Sequence, residues 1–243
     1  AHALSEKLGL GDIVSFDMGG TTAKASLIEN GKYARAVEYS VGGGIMAGSR
    51  LLTGSGYRLK VPAIDLAEVG AGGGSIVWLD PAGSLQVGPR SAGATPGPVC
   101  YGKGGTDPTV TDACAILGYL NPNHLVGGDL PLNTELSTSV FADKIGGPTG
   151  LGLEEAAYGA YEIASANMIR AIKSVSSERG RDPRDYVLFA FGGNGPLFAG
   201  AMATILGMRK ILIPPAPGVF SAFGLLCAEV EHHYSQTLRR VLQ

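Results

Sequence analysis

Two periodicities divide the chain. Up to about Gly88 the apolar positions recur as short runs or alternate with polar ones, which predicts strands. Ile13, Val14 and Phe16 read as a buried strand ending at Asp17, and Ala23, Ala25 and Leu27 alternate with Lys24 and Ser26 in a second strand over 23–28. Asn30-Gly31 then supplies a two-residue hairpin turn before a strand over 33–39. Further strands are predicted over 57–61, 76–79 and 85–87, the last two joined by the turn Asp80-Pro81-Ala82-Gly83. Pro89 to Thr106 is irregular and rich in Pro and Gly, a long loop of the kind that is usually functional or disordered.

Spacing of three and four dominates afterwards. Asp107 is placed to cap a helix opened by Pro108, with Val110, Cys114 and Leu117 on one face. Ala157, Ala160, Ala164, Met168, Ile172 and Val175 form the buried stripe of a helix over 153–178, which Gly180 and Pro183 stop. Strand 186–191, turn 192–195, helix 196–206 and strand 210–213 complete one βαβ unit. The class is α/β, with a mixed sheet, a hairpin after the first glycine loop, and packed helices.

Composition changes this picture at three points. Glycine is in excess, 38 residues in the chain against roughly 17 at average usage. The excess falls in clusters, among them 42–44, 70–74, 102–105, 127–128, 146–147 and 192–195, so many tight loops are specified without any repeat. A net charge of -2 and a pI near 6.1 give no electrostatic footprint for nucleic acid. No apolar run reaches the length of a membrane span. The three scattered cysteines, Cys100, Cys114 and Cys227, suit reduced thiols in a cytoplasm. His2 and His124 are isolated, and His232 and His233 would point to opposite faces of a strand, so no histidine metal site is expected.

The candidate chemistry sits in the glycine loops. Asp17-Met18-Gly19-Gly20-Thr21-Thr22 places a carboxylate at a strand end, then two residues without Cβ whose N–H groups can approach an oxyanion, then two hydroxyls. Asp17 would be repelled by phosphate, so its role is to hold magnesium or to orient an attacking group. The same residues also suit a plain glycine hairpin with an exposed Asp. Lys24 points with Thr22 and Ser26 toward solvent. Gly72, Gly73 and Gly74 could offer successive N–H groups to an anion, with Asp65 or Glu68 as a metal ligand or base, or form a simple turn between surface acids. Asp112 either complements its helix dipole or faces the cleft as a proton-transfer or metal carboxylate. Gly192, Gly193 and Asn194 lie between a strand and a helix, where a backbone can lie flat on a ligand or make an ordinary βα turn. Cys100 has no neighbouring histidine in sequence to activate it.

Taken in order, Phe16-Asp17-Met18-Gly19-Gly20-Thr21-Thr22, Val69-Gly70-Ala71-Gly72-Gly73-Gly74-Ser75, Gly88-Pro89-Arg90-Ser91-Ala92-Gly93, Pro96-Gly97-Pro98-Val99-Cys100-Tyr101-Gly102, Pro108-Thr109-Val110-Thr111-Asp112-Ala113, Glu178-Arg179-Gly180-Arg181-Asp182-Pro183 and Phe191-Gly192-Gly193-Asn194-Gly195-Pro196 resemble the hydantoinase A/oxoprolinase family over nearly the whole chain. The resemblance implies an actin-like ATPase (ribonuclease H-like) fold and the cofactors ATP and Mg2+. It implies an ATP-dependent hydrolase that opens a cyclic amide after phosphorylating the amide oxygen. An ATP-dependent ketone carboxylase subunit, or a non-catalytic nucleotide-binding module needing a partner, are the alternatives.

Resemblance and residue chemistry together make Asp17 and Asp112 the catalytic candidates. Gly19, Gly20, Thr21, Thr22, Gly72, Gly73, Gly74, Gly192, Gly193 and Asn194 would bind the nucleotide, and Asp17 and Glu68 the metal. A hydantoinase B-type subunit or domain is the implied partner, and self-association is left open. Relatives begin with a further domain carrying a first phosphate loop. Residues 1–243 are therefore expected to form a single domain, the second half of the ATPase fold and one half of an active site.

Overall fold

The computed structural model describes residues 1–36, 39–41, 57–59, 63–123, 125, 128–228 and 232. The strands in chain order are β1 (Ile13–Met18), β2 (Ala23–Glu29), β3 (Lys32–Tyr33), β4 (Arg35–Ala36), β5 (Tyr39–Val41), β6 (Tyr57–Leu59), β7 (Ala63–Ile64), β8 (Leu66–Val69), β9 (Ser75–Leu79), β10 (Leu85–Ser91), β11 (Val187–Phe191) and β12 (Lys210–Leu212). The helices are α1 (His2–Leu8), α2 (Val110–Ile116), α3 (Thr134–Phe141), α4 (Gly147–Thr149), α5 (Leu153–Val175), α6 (Gly195–Leu206) and α7 (Phe220–Leu226).

Six of these strands make a mixed sheet in the order β12-β11-β1-β2, with β3 and β8 sharing the far side of β2. β1 runs parallel to β11 and antiparallel to β2, so the chain leaves Met18, turns through Gly19 to Thr22 and returns at Ala23. The expected hairpin after the glycine loop is present, since β2 pairs antiparallel with β3. Asn30 and Gly31 both take positive φ, the backbone a tight two-residue turn between β2 and β3 requires.

Alternation sorts β1 between two cores. Val14, Phe16 and Met18 face the larger one with Ala25, Leu27 and the α5 stripe, whereas Ile13 joins Phe189, Phe191 and Phe220 on the opposite face. All six predicted α5 stripe residues are buried. Burial of Met168 and Ile172 alone contributes on the order of 3–6 kcal/mol. α5 packs across β2, β8 and β10 and fixes the sheet that carries the glycine loops.

Some expectations are corrected. The helix after the Pro/Gly loop starts at Val110 with Thr109 as its cap, because Thr109 and Asp112 complete a reciprocal capping box, while Asp107 pairs with Lys144 at 2.9 Å. The strand predicted over 85–87 continues to Ser91, and the loop beyond it is packed, with Gly97 to Cys100 buried. The strand predicted over 33–39 is broken into β3, β4 and the start of β5. Of the strand predicted over 57–61 only Tyr57–Leu59 is described; the 42–44 glycine cluster, Gly127, His124 and His233 lie outside the described residues.

Candidate functional site

Three glycine loops meet at the carboxyl ends of β1 and β11. Gly19 donates its N–H to the Thr22 carbonyl at 3.0 Å, closing the turn after β1. The Gly19 carbonyl accepts from the Gly73 N–H and from Asn194 Nδ2, each at 3.1 Å, and the Gly20 carbonyl accepts from the Gly74 N–H at 2.6 Å. The Asn194 N–H donates to the Met18 carbonyl at 3.0 Å. No side chain fits between these backbones: a Cβ on Gly72 would lie 2.5 Å from Gly20, and one on Gly73 would lie 2.5 Å from Asn194 Nδ2 and 2.7 Å from Thr111 Oγ1. Gly72 and Gly73 are thus packing requirements of this junction.

That geometry orients the free groups. A trans peptide sends its carbonyl and the following N–H in opposite directions. Among the described residues the cis bonds are at Gly88-Pro89 and Thr95-Pro96, so the peptides after Gly19 and Gly20 are trans. With both carbonyls drawn toward Gly73 and Gly74, the N–H groups of Gly20 and Thr21 point the other way, and Gly20 and Thr21 are exposed. Among the described residues neither N–H has a partner. Two adjacent, outward, unpaired N–H groups are the donor arrangement an oxyanion requires.

Gly72, Gly73 and Gly74 have the opposite role from the one expected. Their N–H groups donate to Ser75 Oγ, the Gly19 carbonyl and the Gly20 carbonyl, which leaves none for an anion. They buttress the first loop. They are held in turn by Thr111, whose N–H and hydroxyl both donate to the Gly73 carbonyl at 2.8 Å, and by the Ala92 N–H on the Gly74 carbonyl at 2.8 Å.

Asp17 lies half-buried at the end of β1, beside Phe191 in register, with its Oδ2 accepting from Ser221 Oγ at 3.0 Å. Gly192 takes φ +82° directly against it, since a Cβ there would overlap Asp17 Oδ1 and the Met18 carbonyl. Gly193 is exposed with open space above it, and α6 begins just beyond, its positive dipole end at the same sheet edge. Asn194 faces the first loop instead of open space, so its amide braces Gly19.

Glu68 does not join Asp17. The register aligns Asp17 with Lys24 and Lys24 with Glu68, so the two carboxylates stand two strands apart, about 10 Å between Cα atoms. Lys24 lies between them, 3.4 Å from Glu68 Oε1 and 3.3 Å from Thr22 Oγ1. Asp65, the other acid before the second loop, is engaged by Arg179. Among the described residues no three His, Cys, Asp or Glu side chains cluster as a metal site.

Asp112 is a correction as well: it is fully buried and faces no cleft. Its carboxylate accepts from the N–H groups of Val99, Cys100 and Thr109 and from the hydroxyls of Thr109 and Ser137, at 2.7–3.2 Å. A carboxylate with that many donors fixes the 96–102 loop and the start of α2. Cys100 is fully buried beside it, and burial reinforced by the Asp112 charge pushes its thiol well above the usual range. It stays a protonated, packed thiol.

Sequence reasoning missed Ser221 and Thr111. Ser221 contacts Asp17 from 204 positions away, with no local signal, and Thr111 was visible only as part of a motif.

The hydantoinase/oxoprolinase family profile matches residues 1–234, and the chain belongs to that family. An uncharacterised protein of Methanocaldococcus jannaschii is 52% identical over 217 residues, 89% of this chain and 32% of its own length. Caprolactamase subunit alpha of Pseudomonas jessenii is 39% identical over 235 residues, 97% of this chain and 32% of its own. The crystal structure of that ATP-dependent caprolactamase gives a TM-score of 0.77 at 40% identity, over 91% of this chain and 30% of its own. A nucleotide-free acetone carboxylase, described for ATP-dependent acetone carboxylation, gives 0.83 at 31% identity over 98% of this chain and 32% of its own. The chain spans about a third of the length of these relatives. No described helix is long and apolar enough to cross a membrane.

Proposed function

We propose that this chain is the second nucleotide-binding half of an actin-like ATPase architecture, in an ATP-dependent enzyme that opens cyclic amides. The observation that carries the reading is the outward N–H pair of Gly20 and Thr21, unpaired among the described residues, held from behind by Gly73, Gly74 and Asn194 and flanked by Asp17. Gly20 and Thr21 would bind phosphate oxygens, with the Thr21 and Thr22 hydroxyls beside them. The open backbone at Gly193 would lie against the adenosine, and the α6 amino terminus would favour the negative charge. Asp17 would hold Mg2+, together with water and phosphate oxygens, as suits an ion that takes one or two carboxylates and keeps much of its hydration. ATP would supply a phosphoryl group to the amide oxygen, which removes much of the resonance that protects a lactam from water.

The chain's own contribution is positioning and charge stabilisation. A short covered span of the relatives supports a role within a longer polypeptide, and the alpha-subunit relative supports a partner subunit, for which the hydantoinase B type is our proposal. A second reading, ketone carboxylation, is favoured by the acetone carboxylase likeness. Phosphate release by the intact natural polypeptide with its partner subunit, assayed with lactams, hydantoins, 5-oxoproline and ketone plus bicarbonate, decides. Stimulation by a cyclic amide is expected; stimulation by ketone and bicarbonate alone selects the second reading, and indifference to all four contradicts both.

A further inference from the structure

We infer that Ser221 is a positioning residue for Asp17, setting the carboxylate that the proposed function assigns to the magnesium–nucleotide complex; the inference rests on that reading. Among the described residues, Ser221 Oγ is the one side-chain group hydrogen-bonded to the Asp17 carboxylate, at 3.0 Å. The serine is itself held by two independent contacts. The Gly192 N–H donates to the Pro217 carbonyl at 2.9 Å, which docks the turn before α7 on the loop beside Asp17. Phe220, next to Ser221, is buried against Phe189 and Phe191 with ring centroids 5.4 and 5.2 Å away. Phe191 is the register partner of Asp17, so the same aromatic contact that seats α7 delivers the hydroxyl to the carboxylate.

An Asp side chain at a strand end has two free torsions, and one donor on Oδ2 fixes the plane of the carboxylate and leaves Oδ1 on the loop side.

The test measures ATP affinity by calorimetry with and without Mg2+ in the intact natural polypeptide, for the wild type and for Ser221→Ala, Ser221→Thr and Asp17→Asn. The ratio of the two dissociation constants reports how much the metal tightens ATP. Ser221→Ala is expected to reduce that ratio about five- to tenfold, the loss of one solvent-exposed hydrogen bond, while metal-free ATP affinity and thermal midpoint stay at wild-type values. Ser221→Thr restores the ratio and Asp17→Asn abolishes it. A full ratio in Ser221→Ala beside a lost ratio in Asp17→Asn overturns the inference alone. A full ratio in Asp17→Asn overturns the functional reading and the inference with it.

Discussion

Single residues here are constrained by the backbone packed directly against them. Gly72→Ala places a Cβ 2.5 Å from the Gly20 backbone, and neither backbone can rotate aside. It is expected to lower stability by about 1–3 kcal/mol and to weaken ATP binding, as read by denaturant unfolding and calorimetry. Gly200→Ala is the control: it lies in α6 with open space around it and is expected to stabilise by up to about 1 kcal/mol. Asp112 supplies a second test at this scale. Replacing it with Ala strands the N–H groups of Val99, Cys100 and Thr109 and the Ser137 hydroxyl, and is expected to cost at least about 3 kcal/mol. An Asp112→Ala protein with wild-type thermal stability and no turnover would return that residue to catalysis.

Why Asp112 misleads in sequence is clear from its partners. A carboxylate near a helix start looks the same whether it faces a cleft or a buried loop, and the deciding donors on Val99, Cys100 and Ser137 lie 12–25 positions away. The second glycine loop misleads for a related reason. Its residue types state that backbone N–H groups come close to something, and only the fold decides that the something is the Gly19 and Gly20 carbonyls.

Elements were more legible than residues. β1, β2, the Asn30-Gly31 turn, α5, β11 and α6 all follow from local period and turn chemistry, because each buries a face its own sequence defines. α1, α3 and α7 carry too few periodic residues to stand out, and α7 is the element that delivers Ser221. Beyond period, the Glu178-Arg179-Gly180-Arg181-Asp182-Pro183 motif turns out to tie elements together. Arg179 engages Asp65, and Arg181 donates to Glu29 at 2.8 Å while the Tyr186 hydroxyl donates to the same oxygen at 2.6 Å.

This clamp has a pH signature. The Arg181 hydrogen bond, then that of Tyr186, lowers the Glu29 carboxyl below its usual value. Its contribution is therefore complete above the unfolded value near 4.3 and is lost as pH falls through the lowered folded value. Burial, then the bond to Glu29, raises the Tyr186 phenol. Its contribution is complete below about pH 10 and is lost as pH rises through the raised folded value. Glu29→Gln is expected to cost about 1 kcal/mol at neutral pH, since both charged heads are partly exposed, and to flatten the acid limb of a stability-against-pH curve. An unchanged acid limb would remove Glu29 from the clamp.

At the scale of the whole molecule, the sheet edge where β1 and β11 end carries three loops with distinct functions. The first loop presents N–H groups, the second braces it, and the third leaves Gly193 open beside Asp17. Ligands of open α/β sheets gather at such carboxyl strand ends. Here the outward donor pair of Gly20 and Thr21 stands at that edge beside Asp17. The resemblance placed nucleotide contacts on all three loops, whereas the backbone hydrogen bonds set the second loop against the first.

The most direct measurement is glycine- and threonine-selective amide NMR during titration with ATP and Mg2+. Large shifts are expected at the Gly20 and Thr21 N–H signals, with Gly73 and Gly74 nearly still because their N–H groups are already bound within the chain. Saturation with Gly20 and Thr21 unmoved, or with Gly73 and Gly74 moving in their place, would contradict the assignment of the first loop as the phosphate site.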